Sequence, residues 1–182
     1  ASGQGGLFAT NADIDLSGTL TGANYLLRAS ALGSITISGN NTYSGNTYID
    51  GGVVNVSSLA DTGVSSALGA GPSITLSANG VLNYTGAAAS SNRSFAISGA
   101  ATLRNSGSGA LSLSGPMSFT AGGQIDNEHG QIQSGTGAAG DTSTLGIHAA
   151  TLDDTNGLVS NLGTGDMNVQ ATTQIANSGG VI

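Results

Sequence analysis

Cysteine, lysine and tryptophan are missing from this 182-residue chain. Without cysteine there is no disulfide framework and no thiolate metal site. The only strong cations are Arg28, Arg93 and Arg104, set against ten acidic residues, and the net charge is −7. No basic run exists to neutralise phosphates, which argues against nucleic-acid and anionic-membrane partners. Charged residues are 7% of the chain, where an ordinary soluble domain has ~25%. Aromatic residues are 4%, a composition foreign to a globular α/β enzyme. No run of about 18 apolar residues could cross a bilayer as a helix. The first residues, Ala1-Ser-Gly-Gln-Gly5, have neither the charged nor the apolar region of a signal peptide. Low charge and 38% hydrophobic content also separate the chain from disordered sequences.

What is abundant is glycine, 31 residues, and short alternation of apolar and small polar residues. Helical spacing does not persist anywhere, because glycine interrupts each candidate. One burst recurs: Asp13-Ile-Asp-Leu-Ser-Gly18, Ser34-Ile-Thr-Ile-Ser-Gly39, Ser73-Ile-Thr-Leu-Ser-Ala78, Ser94-Phe-Ala-Ile-Ser-Gly99 and Ala110-Leu-Ser-Leu-Ser-Gly115. Its second position falls at 14, 35, 74, 95 and 111, in steps of 21, 39, 21 and 16. The step of 39 reads as two periods, filled by Gly39-Asn-Asn-Thr-Tyr-Ser-Gly-Asn-Thr-Tyr-Ile-Asp-Gly-Gly-Val-Val-Asn-Val56. In that stretch β-formers flank Gly51-Gly52, a pair free to take positive φ in a sharp corner. Downstream, Ile125-Asp-Asn-Glu-His-Gly-Gln-Ile132 aligns with Leu152-Asp-Asp-Thr-Asn-Gly-Leu-Val159 and with Ile175-Ala-Asn-Ser-Gly-Gly-Val-Ile182. Matching strands, Leu145-Gly-Ile-His-Ala149 and Met167-Asn-Val-Gln-Ala171, lie between the copies.

Self-similarity near 20 residues, with short strands and glycine turns, is the mark of a solenoid. One coil cannot bury its own Ile, Leu and Val, whereas coils stacked ~4.8 Å apart pair every strand above and below. The expectation is an all-β parallel β-helix of about nine coils of roughly 20 residues, a rod roughly 40 Å long. A β-sandwich is the competing architecture; its turns would come every 8–12 residues without the longer period. Asn127, Asp154 and Asn177 share one repeat position and would stack as a side-chain ladder. Residues 58–72 and 134–144 read as inserts, the first holding a short helical turn, Ser65-Ser-Ala-Leu-Gly69, capped by its glycine. Residues 1–182 are expected to form one continuous β-helix. Its apolar last residues, Val181-Ile182, suggest a segment of a longer protein.

The stretch 39–56 closely resembles the passenger-associated transport repeat of bacterial autotransporters. The likeness continues through Leu68-Gly69, Ser73-Ile-Thr-Leu76, Gly80-Val-Leu-Asn-Tyr84 and Ser91-Asn-Arg93, covering about 39–115. A leucine is usual in that family where Val54 stands. Residues 124–182 resemble the filamentous haemagglutinin repeats of two-partner-secreted exoproteins, more loosely: Asp154 replaces an asparagine, and only the third copy has the Gly179-Gly180 pair. The resemblance implies a right-handed β-helix exported across a Gram-negative outer membrane to the cell surface or beyond. It implies an outer-membrane translocator as partner, a barrel domain or a separate transporter, and a cell-surface receptor for the whole protein.

The chain offers little chemistry of its own. Gly135-Thr-Gly-Ala-Ala-Gly140 matches a dinucleotide fingerprint, but the Asp-Thr-Ser-Thr that follows opens no nucleotide-binding helix. Asp126, Glu128, His129 and His148 would have to converge to hold a metal or exchange protons, and in an extended strand and turn His129 faces away from the acids. Asp153, Asp154 and Asp166 lack the calcium-binding nonapeptide. Tyr25, Tyr43, Tyr48 and Tyr84 read as packing residues or as a glycan-binding face. Asn40, Asn55, Asn83 and Asn92 head glycosylation sequons that an Asn- and Ser-rich chain produces by chance. Arg93 and Arg104 are expected to pair with an acid or a carbonyl. The reading is a non-catalytic stalk segment without cofactor or metal. A polysaccharide-binding or polysaccharide-cleaving β-helix is the alternative; an ice-binding solenoid is disfavoured because no Thr-x-Thr column is visible.

Overall fold

Each alternating burst in the sequence forms a strand, and its apolar residues point into a shared interior. The structure, a computed structural model, describes residues 12–23, 27–29, 33–120, 124–126, 131–134, 139 and 144–182. Among them the strands pair in parallel, and no helix occurs. They form the three sides of a β-solenoid. The first side stacks β1 (Ile14–Leu16), β3 (Ser34–Ile37), β5 (Val53–Val56), β7 (Val81–Tyr84), β10 (Thr102–Asn105) and β13 (Gln124–Asp126). The second stacks β2 (Leu27–Ala29), β4 (Thr47–Ile49), β6 (Ser73–Leu76), β9 (Ser94–Ser98) and β12 (Met117–Thr120). The third stacks β8 (Ala89–Ser91), β11 (Leu111–Leu113), β14 (Gln131–Ser134) and β16 (Leu158–Asn161). β15 (Leu145–Asp153) and β17 (Met167–Ala176) run along the second side and continue onto the first past an irregularity between Ala149 and Thr151.

Register along the first side fixes the period. Ile14, Ile35, Val54, Leu82, Leu103, Ile125, Leu152 and Ile175 lie in one column, in steps of 21, 19, 28, 21, 22, 27 and 23 residues. Among the described residues the stack therefore makes about six or seven turns, against an expectation of about nine. At ~4.8 Å per coil the rod is roughly 34 Å long. The shortfall lies in the two longest steps, which carry the extra residues between β5 and β6 and between β14 and β15.

The recurring burst misleads in a specific way. Ile14 does stack on Ile35, but Ile74 and Phe95 lie on the second side and Leu111 on the third. All three sides require the same small-polar and apolar alternation, so the pattern reports a strand without saying which side it builds. The downstream repeat is in true register: Ile132 pairs with Val159, Leu158 bridges Val181, and Leu145 pairs with Met167. Inward residues Ile35, Ile37, Ile49, Val54, Ile74, Leu76 and Leu82 are buried, each worth ~1.5–3 kcal/mol relative to exposure. The corner before β5 places Gly52 at φ 68°, while Gly51 is not in the left-handed region.

Candidate functional site

The segment with the richest polar chemistry is the 57–72 excursion between β5 and β6. It leaves the strand pattern and yet buries Leu59, Ala67 and Leu68. Its expected helical turn is a hydrogen-bonded β-turn, in which the Gly69 amide donates to the Ser66 carbonyl at 3.0 Å. Gly69 sits at φ 63°, as its capping place demands. A helix does not form because its backbone groups bond to neighbouring coils instead. Ala70 N donates to the Tyr43 carbonyl of the preceding coil at 2.7 Å, and Asn41 N of that coil donates to the Ser66 carbonyl at 2.9 Å.

Asn41 is completely buried and bridges three coils. Its Oδ1 accepts from Leu20 N at 2.7 Å and its Nδ2 donates to the Ala67 carbonyl at 2.6 Å. The following coil closes the excursion from the other side. Ser91 Oγ donates to the Ala60 carbonyl at 2.8 Å. Asn92 N donates to Asp61 Oδ1, and Thr62 N to Asn92 Oδ1, both at 2.8 Å.

Arg93 completes the closure. It is 1% exposed. Its Nη1 donates to the Leu68 carbonyl at 2.6 Å, and its Nη2 to the carbonyls of Gly69 at 2.5 Å and Val64 at 3.1 Å and to Ser66 Oγ at 3.3 Å. Nε has no hydrogen bond. The expectation that Arg93 meets an acid or a carbonyl is thus met by carbonyls. The planar guanidinium fork suits this role, because its several N–H groups diverge to several acceptors at once. Desolvation lowers the Arg93 pKa, with the charges of Tyr43 and Asp61 opposing. Burial pushes the Tyr43 phenol up to about 12, against its 2.9 Å hydrogen bond with Thr47 Oγ1 and the nearby Arg93 charge.

The other expected positions fare differently. Asn127 lies outside the described residues, as do Glu128, His129, Tyr25 and nearly all of 134–144, including 135–138 and 140 of the glycine motif. The register sets Asp154, completely buried, one coil from the exposed Asn177. Both crowd Gly180, where an added Cβ would overlap the Asp154 carbonyl oxygen and Asn177 Oδ1. Asp153 is occupied locally: its Oδ1 accepts from Thr155 N at 3.1 Å and Thr155 Oγ1 at 2.7 Å. Tyr43 and Tyr84 are buried packing residues, and the Tyr84 hydroxyl donates to the Ala87 carbonyl at 2.6 Å.

A side-chain ladder does exist, at a place the repeat alignment did not mark. Asn83 Nδ2 donates to Asn55 Oδ1 at 2.9 Å, and Ser106 Oγ donates to Asn83 Oδ1 at 2.7 Å. Its sequence signal is Asn two places before Ser or Thr, the same pattern as the sequons at Asn55 and Asn83. On the outside of the second side, Ser73, Thr75, Ser94, Ala96, Ser118 and Thr144 border an uncharged hollow of about 300 Å³. Among the described residues no three His, Asp or Glu side chains converge as metal ligands would.

No family model matches the chain, and no solved structure matches it. A stretch of 119 residues, 62% of the chain, is 41% identical to the adhesin BmaC autotransporter of Brucella suis biovar 1 (strain 1330). A stretch of 47 residues, 25% of the chain, is 57% identical to the tRNA nuclease CdiA-2 of Burkholderia pseudomallei (strain 1026b). The chain spans 4% of the length of the first relative and 2% of the second. This β-solenoid is therefore similar to short pieces of two far longer proteins, one of them named an autotransporter adhesin.

Proposed function

We propose that the chain is a non-catalytic stalk segment of an exported bacterial adhesin or exoprotein, one continuous β-helix within a longer protein. The observation that carries this reading is the 41% identity to an autotransporter adhesin over 119 residues. The stacked solenoid supports it, since such a rod extends or displays a distal region by geometry alone. In this reading residues 39–115 act as transport-repeat coils and 124–182 as haemagglutinin-type coils, with Asn127, Asp154 and Asn177 as the ladder of the latter. The protein partner is an outer-membrane translocator, the place of action is the cell surface or the medium, and any receptor is bound by the whole protein. The nuclease named among the relatives is similar over only 47 residues of this chain and lends it no activity.

The reading is tested by secretion. The segment is placed in the passenger of an autotransporter and compared with the same passenger lacking 39–93. Slower appearance of the shortened passenger outside the cell is expected; equal rates would remove the export role.

A further inference from the structure

The 57–72 excursion belongs to one coil by sequence but is secured by the coils on either side. Its own bonds are few: Ala67 N to Ser58 Oγ at 3.0 Å, Gly63 N to the Ala70 carbonyl at 2.8 Å, Val64 N to the Asp61 carbonyl at 3.0 Å, Ser66 Oγ to the Gly69 carbonyl at 3.0 Å, and the Gly69 N to Ser66 carbonyl turn. Left alone, it would expose Leu59, Ala67 and Leu68, and the carbonyls of Val64, Leu68 and Gly69 would lose the guanidinium that satisfies them. The residues that complete it, Ser91, Asn92 and Arg93, come 19 or more residues after its end. We propose that residues 57–72 are a strap closed by the next coil, and that this closure welds the three coils of residues 33–98 into one cooperative folding unit inside an otherwise coil-by-coil stack.

The physical basis is the asymmetry between made and unmade buried polar contacts. Ordinary coils gain a ladder of bonds each time one is added, so each addition stabilises a little. Here the middle coil contributes a strap that stays open until the Arg93 fork arrives. Asn41 and Tyr43 then hold it from above, and Ser91, Asn92 and Arg93 from below. Intermediates ending between residues 57 and 90 gain little from the strap. The chain passes this point in one larger step, whichever end folds first. This inference rests on hydrogen bonds and burial and holds whether or not the segment serves in export.

Hydrogen–deuterium exchange on the whole chain tests it, comparing the parent with Arg93→Met, which keeps the aliphatic stem but removes the fork. Exchange of amides in 57–72 is expected to rise at least about tenfold. A smaller rise should spread through 33–49 and 73–98, with 145–176 unchanged. Asn92→Ala is the milder companion, because Asn92 is exposed and alanine loses only the bond from Thr62 N while keeping the backbone amide that donates to Asp61; it should give the same pattern at lower amplitude and covers the case in which Arg93→Met does not fold. A rise confined to residues next to the substitution would overturn the unit. An equal rise from 33 to 176 in both variants would overturn it as well, since the strap would then be no weaker than the rod around it.

Discussion

Two inward polar residues explain why the excursion at 57–72 is ordered. Asn41 supplies a donor and an acceptor to different coils, and Arg93 supplies the fork that three carbonyls share. Tyr43 lies between them, and its buried phenol gives a testable pH dependence. Its folded pKa of about 12 exceeds the usual 10, so the folded state holds the phenolic proton more tightly. The contribution is fully present below pH 10 and is lost as pH rises from 10 to 12; at ~1.4 kcal/mol per unit it amounts to about 2–3 kcal/mol. Denaturant titrations from pH 9 to 12 should show this alkaline loss, and Tyr43→Phe should flatten most of it, the remainder coming from Tyr84, which burial also raises. Tyr43→Phe should also cost about 1 kcal/mol at neutral pH, for the lost bond to Thr47. An alkaline limb equally steep in the variant would contradict the assignment. Arg93 was legible as a rare cation needing a partner. Asn41 is not legible as a buried bridge, because an asparagine facing the interior and one in an exposed turn look alike in sequence, and only the path of neighbouring coils distinguishes them.

Strands were easier to read than the sides they build. Period-two alternation marks Ile35, Ile74 and Phe95 equally well, although they occupy two sides. The corners carry a signal of their own, which marks where a strand ends on more than one side. Asn105 ends β10 and spans its corner: Nδ2 donates to the Gly109 carbonyl at 3.1 Å, and Oδ1 accepts from Gly107 N at 3.1 Å. Asn161 does the same at the end of β16, with the Gly165 carbonyl at 2.8 Å and Gly163 N at 3.1 Å. Asn-x-Gly-x-Gly is therefore a corner signature that the alignment of strands passed over. The glycine at its third position lets coils close up, since a Cβ on Gly107 would overlap the Gly86 carbonyl oxygen of the coil above. Gly107→Ala must push two backbones apart and should cost about 1–3 kcal/mol. Gly63→Ala serves as control for backbone strain alone, because Gly63 has open space around it at φ 82°. Gly107 is not in the left-handed region, so its loss in urea unfolding reports crowding and Gly63's reports strain; an unchanged midpoint for Gly107→Ala would contradict the crowding.

Across the whole molecule, stability is distributed along a stack in which each coil leans on the next, and register alone decides where coils can be removed. The all-β solenoid could be read from period and composition, while the number of turns could not, because whole coils vary from 19 to 28 residues and the segments between strands take up the difference without disturbing the column from Ile14 to Ile175. That tolerance permits a comparison of coil deletions. Removing residues 102–123 joins Ala101 to Gln124, and Leu103 and Ile125 already share a column, so Ile125 should settle on Leu82 in the vacated register. Removing 81–101 joins Gly80 to Thr102 in the same manner, since Val81 and Thr102 are paired. Each deletion takes out one coil of nearly equal length. A uniform stack would lose similar stability in both cases, roughly one coil and its interface. Only the second deletion removes Ser91, Asn92 and Arg93, taking the side-chain donors from the carbonyls of Ala60, Val64 and Leu68, leaving Gly69's with Ser66 Oγ alone, and taking the Asn92 amide from Asp61. It should be less stable than the first by at least about 2 kcal/mol, since each buried carbonyl left without a donor costs about 1–3 kcal/mol. The 57–72 segment should then be cut by protease while the rest of the rod resists. Circular dichroism with urea titration gives the stability difference and limited proteolysis locates the opening; equal stabilities, with the strap protected in both, would show that any coil can close it.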